Sequence, residues 1–248
     1  MYRVEDYPQI RGNYFLTARA SGPSKKLLGR VTVISCLMRT TAGDFSAKST
    51  EQYNAALNQA IQWLQQQARR YCVPLEISGY HYEVDVSPNA DPMKGYDLLK
   101  GFLHLPSVDA AQKHFEQTLA VNEAPLVMVF DRNGRSFAVN QMGEPYKVNE
   151  LSTIFKYRDK FLYTTIIHEL LHQFGGGDLY YAPAVKDRAV YYFADSVMGV
   201  GSFEMDDLTA YLIGWKDTIS ANTYHFLKDT MWLNKQSYDQ AVKDAWKV

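Results

Sequence analysis

No stretch of the 248-residue sequence approaches the ~20 consecutive apolar residues that a membrane-spanning helix needs, and Met1 to Ile10 lacks the basic start and apolar core of a secretory signal. A membrane span is therefore not expected. The chain reads as cytoplasmic, or as a secreted or exported effector whose targeting segment is absent. An excess of one charge is also missing. Lysines and arginines number 26 against 27 acidic residues, and the basic ones are scattered, so the electrostatic footprint of a nucleic-acid partner is not there. Cysteine is scarce: Cys36 and Cys72 are too few for a disulfide scaffold, and neither lies in a CxxC pair suited to zinc or redox work. Two buried free thiols are the expectation over one disulfide. There is no internal repeat or low-complexity segment.

Apolar material is plentiful. With 46% hydrophobic and 14% aromatic residues the chain can bury a sizeable core, and its length fits one embellished domain over residues 1–248. Arg30 to Met38, RVTVISCLM, predicts a buried strand. Ser49 followed by Gln52 suggests a capping box, and Tyr53, Ala56, Leu57, Ala60, Ile61, Leu64 and Ala68 recur at helical spacing, predicting a long helix that ends near Pro74. Pro74 to Val86 predicts a second strand. Ser87 to Glu123, broken by Pro, Gly and Asp, reads as an insertion with a short helix around Ala110 to Leu119. Leu126 to Phe130 and Ser136 to Asn140 flank a turn-rich connector and predict a hairpin. The order suggests a mixed sheet backed by helices, followed by a tail of short elements after residue 216 with Ser237 capping a last helix.

Chemistry is concentrated in FLYTTIIHELLHQFGGGDLY, Phe161 to Tyr180. Residues four apart on a helix are offset by only ~40° about its axis, so His168 and His172 project from one face and can grip one ion, with Glu169 beside them. Tyr163, Ile166, Ile167, Leu170, Leu171 and Phe174 make an apolar stripe on the other side. HExxH alone would arise by chance in about 0.6% of sequences of this composition, but Gly175 and Asp178 extend it to HExxHxxGxxD and lower that figure to about 2 in 100,000. A glycine three residues past the second histidine tolerates positive φ and ends the helix, letting the chain turn back to bring a third ligand to the same ion.

The extended motif resembles that of the metzincin metallopeptidases, in the branch whose third zinc ligand is aspartate. In that family a methionine-containing turn lies beneath the metal, and Ser196-Val197-Met198-Gly199 follows Asp178 at a workable distance. Met205 to Trp215 would match the helix that comes after it. The resemblance, specific over about residues 163 to 215, implies an α+β fold: a mixed, mainly parallel twisted sheet with an antiparallel edge strand, a long backing helix, an active-site helix, the Met-turn and a C-terminal helix. It also implies a sheet half over about residues 28–174 and a C-terminal part over about 175–248. The site it implies has one Zn2+ per chain on His168, His172 and Asp178, Glu169 as general base, and Gly175 and Met198 as structural support. The implied activity is that of a zinc-dependent endopeptidase acting on a peptide or protein substrate, with three protein ligands leaving an open metal position.

Other readings remain open on the residues alone. A gluzincin-like hydrolase would take Glu204 as third ligand, and Asp195 is a further substitute for Asp178. A zinc-stabilised binding module would keep the ligands without catalysis. His81, His104, His114 and His225 have no partner at ligand spacing and are assigned no role. The tyrosines near the motif, Tyr180, Tyr181, Tyr191 and Tyr192, offer an oxyanion donor that the sequence cannot single out.

Overall fold

The computed structural model describes residues 1–20, 24–40, 45–139, 151–180, 182–199, 203–234, 236, 237 and 240. Ahead of the sheet, Asn13 caps a single helical turn, α1 (Tyr14–Thr17), accepting a bond from Phe15 N. The expected first strand runs over Gly29–Thr40 (β1) and is buried on both faces. Val31, Val33 and Leu37 enter one core layer while Ile34, Cys36 and Met38 enter the other. Two covered faces explain why the segment reads as a continuous apolar run and not as an alternation.

The long helix, α2 (Ala47–Arg70), packs on the first face, where the buried Tyr53 hydroxyl meets the Ser35 hydroxyl at 2.7 Å. Its cap is Ser46, which accepts from Ser49 N, so Ser49 lies inside the first turn and the expected capping box from Ser49 to Gln52 is not the helix start. β2 (Leu75–Val86) then pairs in parallel with β1 over its whole length. Residues 87–123 form a covering layer: α3 (Asp97–Leu103) and α4 (Val108–Leu119) place Leu99, Ala111 and Phe115 against the second face.

β3 (Leu126–Asn133) pairs in parallel with β1, and β5 (Leu151–Lys156) in parallel with β3. Between them in sequence, β4 (Phe137–Val139) pairs antiparallel with β5, giving the order β2-β1-β3-β5-β4. The hairpin expected over Leu126 to Asn140 is therefore corrected. β3 and β4 do not pair, because β5 lies between them and takes β3's free edge; Asn140 is outside the described residues. The result is a mixed α/β arrangement with a five-stranded, mostly parallel sheet, in keeping with the expected α+β class.

Further helices follow, among them α5 (Tyr163–Gln173), α6 (Pro183–Tyr192), α7 (Asp207–Leu212) and α8 (Ala221–Asp229). The first residues of the chain pack on this last part. Tyr2 and Ile219 form a β-bridge, and the buried Asn13 amide donates to Leu227 O and Thr230 Oγ1. Near the end, Asn234 accepts from Ser237 N and donates its own N–H to the Ser237 hydroxyl, so Asn234 and not Ser237 is the cap. Both cysteines are free, but only Cys36 is buried, and burial pushes its thiol up to about 12; Cys72 is exposed. Among the described residues no helix is long and apolar enough to cross a membrane.

Candidate metal centre

Helix α5 is seated by its apolar stripe: Ile166, Ile167, Leu170, Leu171 and Phe174 are buried in the core between sheet and helices. Polar ties fix its rotation. Ser152 Oγ of β5 donates to Glu169 O at 2.7 Å, and Gln173 Nε2 donates to Leu126 O and Ser152 Oγ. With one side committed to the sheet, the other carries His168, Glu169 and His172. That side is not a solvated helix face, since Glu169 and His172 are only 6% and 4% exposed.

The helix ends in a complete Schellman motif, Gly175 N donating to His172 O and Gly176 N to Leu171 O, with Gly175 at φ +103°. The glycine triplet answers to close approach. A Cβ on Gly175 would stand 2.8 Å from Ala18 O, one on Gly176 would stand 3.0 Å from Leu171 O, and one on Gly177 would stand 2.7 Å from the Phe15 ring. α1 and the residue after it thus form the bed on which the chain turns back. Asp178, 7% exposed, comes immediately after.

The three expected ligands converge. Asp178 Oδ1 lies 3.0 Å from His168 Nε2 and 3.4 Å from His172 Nε2, and one ligand atom from each residue falls within 4.8 Å of the others. A tetrahedral zinc with bonds of about 2.0–2.1 Å separates its ligand atoms by about 3.3 Å, so both distances suit such an ion. The remaining ring nitrogens are engaged: His168 Nδ1 lies 3.0 Å from Val197 O and His172 Nδ1 lies 2.7 Å from Gly176 O. A carbonyl only accepts, so each Nδ1 carries the hydrogen and each Nε2 is left to ligate when the ring is neutral. Glu204 and Asp195 lie outside this group; Glu204 reaches Arg70 at 3.4 Å on the far side of the turn.

Burial and charge compete at every member. Burial works to lower the His168 pKa, but the hydrogen bond to Asp178 and its charge carry it up to about 9. Burial likewise opposes, and Asp178 outweighs it, in raising His172. Burial alone would lift Asp178, yet the charge of His172 and the bonds from both imidazoles hold it below the usual carboxylate range. Burial raises Glu169, with the two histidines and Arg135 pulling the other way.

His168 and Glu169 line a cleft of about 760 Å³. One wall is the β3–β4 connection, Gly134 to Ser136, with Phe155 and Tyr157; the other includes Tyr180, Val197, Gly199 and Phe203. Of the tyrosines named from sequence, Tyr180 is the one at the metal centre, its ring 5.9 Å from that of His168; Tyr181 is outside the described residues. Met198 is fully buried, and its carbonyl accepts from Leu179 N, the residue after Asp178. Phe155 and Tyr157 were not foreseen at the cleft; they arrive there through strand pairing and carry no local signature. No protein-family model matches the chain, and no curated protein matches it, so what the site does is argued from its geometry.

Proposed function

We propose that the protein is a zinc-dependent endopeptidase of the metzincin type, with His168, His172 and Asp178 as ligands and Glu169 as general base. The observation that carries this reading is the convergence of one ligand atom each from His168, His172 and Asp178 within 4.8 Å, with Asp178 Oδ1 at 3.0 and 3.4 Å from the two imidazoles, beside an open cleft lined by a buried glutamate. The architecture fits the resemblance in several independent features. These are the mainly parallel sheet with antiparallel β4 at its edge, α2 packed on the sheet, the glycine turn after α5, and buried Met198 in the turn ahead of α7.

Zinc, when bound, supplies Lewis acidity toward a carbonyl oxygen and makes a water acidic at neutral pH. The chain does the rest. The Glu169 carboxylate takes a proton from the attacking water and returns it to the departing amine, and its raised pKa brings it nearer the working pH for both transfers. Among the described residues β4 has one strand neighbour, β5, and an extended substrate would add to its other edge by backbone hydrogen bonds across the cleft.

The test is metal analysis of the purified protein with peptide-library digestion by wild type and Glu169→Gln. One zinc per chain, with cleavage by wild type only, is expected. A metal-loaded wild type that cleaves nothing would favour the non-catalytic zinc-stabilised module, and a protein that takes up no zinc would remove the centre altogether.

A further inference from the structure

Behind the turn that supports the ligands stands a buried carboxylate that the chemistry above does not use. Asp206, 8% exposed, caps α7: its Oδ1 accepts from Thr209 N at 2.8 Å. Capping needs only one acceptor, and Ser, Thr or Asn would serve. The second oxygen does something else. Asp206 Oδ2 accepts from Thr209 Oγ1 at 2.7 Å and from Ser196 Oγ at 2.6 Å. Two hydroxyl donors on that atom call for a carboxylate, because the nitrogen of an amide only donates.

While donating its hydrogen bond to Asp206, the Ser196 hydroxyl accepts one from Met198 N at 3.0 Å, and Ser196 O accepts from Gly199 N. The turn over residues 196–199 is held from inside by this serine. Two successive carbonyls of the same turn reach the metal centre: Val197 O meets His168 Nδ1 at 3.0 Å, and Met198 O takes Leu179 N, the residue after Asp178. A continuous path of short contacts thus runs from Asp206 through Ser196 to the ring orientation of His168 and the backbone beside Asp178.

We propose that Asp206 is a positioning residue of the metal centre, acting through Ser196 on the turn whose carbonyls hold His168 and the Asp178 strand of chain in place. This rests on the metal-binding reading above. Asp206 touches neither metal nor substrate; it determines how well the three ligand atoms coincide.

Two substitutions cut the path at different points. Asp206→Asn keeps an oxygen for the α7 cap but presents a donor where Ser196 needs an acceptor. Ser196→Ala leaves the cap intact and removes the link from the other side. Thr209→Val is the control, deleting the other hydroxyl on Asp206 without touching the turn. Zn2+ affinity is measured by chelator competition, and ligand geometry by the visible spectrum of the Co2+-loaded protein.

Asp206→Asn and Ser196→Ala should each weaken zinc binding by ~10- to 100-fold, the range for losing a group that orients a ligand, and alter the cobalt bands. Thr209→Val should leave affinity and spectrum as in wild type. If Asp206→Asn does not fold, Ser196→Ala decides. Wild-type affinity and an unchanged cobalt spectrum in the variants, against a metal-binding wild type, would overturn the role of Asp206 alone. A wild type that binds neither ion would overturn the metal centre and this role with it.

Discussion

Zinc uptake should be strongly pH-dependent, because protons and metal compete for one lone pair. In the metal-free protein His168 Nε2 faces Asp178 at 3.0 Å, and the pair carries the imidazole pKa up to about 9. At about pH 7 only ~1% of His168 rings are neutral, so displacing the proton should weaken zinc binding about 100-fold relative to a neutral ring. Affinity should rise about tenfold per pH unit from about pH 6.5 to 8.5, and more steeply where His172, also raised, still holds its proton. Chelator-buffered titrations across that range test the slope, and calorimetry in buffers of different ionisation enthalpy counts the protons released. A dissociation constant that stays flat over those two pH units would refute the reasoning. Stability moves the other way in the metal-free protein. The His168 contribution is complete below its ordinary value of 6.5 and lost as pH rises through about 9. The Asp178 contribution is present above 3.8 and lost as pH falls below it toward its depressed folded value. The ion pair therefore stabilises the metal-free fold most between those limits.

Other perturbations separate chemistry from structure. Glu169→Gln should keep zinc and fold but lower kcat by ~100- to 10,000-fold with little change in substrate binding, measured by steady-state kinetics on any cleaved peptide. Asp178→Ala should lose zinc affinity and regain part of its activity with added zinc, a recovery that Glu169→Gln should not show. Gly177→Ala would press a Cβ to 2.7 Å from the Phe15 ring and should cost ~1–3 kcal/mol in thermal or urea unfolding. Pairing it with Phe15→Leu should return part of that loss; strict additivity of the two would count against the contact.

The shared face of His168 and His172 was legible because α5 is a local object: its apolar stripe and its histidines lie within a dozen residues, and helical geometry alone decides which side chains share a face. β1 and α2 were legible for the same reason. β5 was not, since LSTIFK, buried at Leu151 to Phe155, shows no alternation and holds two hydroxyl residues, of which Ser152 turns out to bond α5. The false hairpin arose from Asp131-Arg132-Asn133-Gly134, which has turn composition, yet β3 runs on to Asn133 and the chain crosses over to place β4 beyond β5. Parallel pairing joins distant segments and leaves no mark in either one. The glycine triplet, which from sequence alone could pass for a loosened loop, is instead three points of tight packing: Gly176 against Leu171 of α5, and Gly175 and Gly177 against Ala18 and Phe15, partners far away in the sequence.

That packing has a consequence for the order in which the protein assembles. On the proposed metal site, two ligands sit on one helix and would meet zinc as soon as α5 forms, but Asp178 also depends on a turn bedded on residues 15–18. Those residues are in turn anchored through Asn13 to Leu227, 214 positions away. Closing so long a loop is entropically late in folding. If the proposed site is right, a refolding chain would offer zinc a two-histidine grip first and the complete site only when Asn13 has met Leu227, so tight retention of the metal would report that this long-range contact has closed.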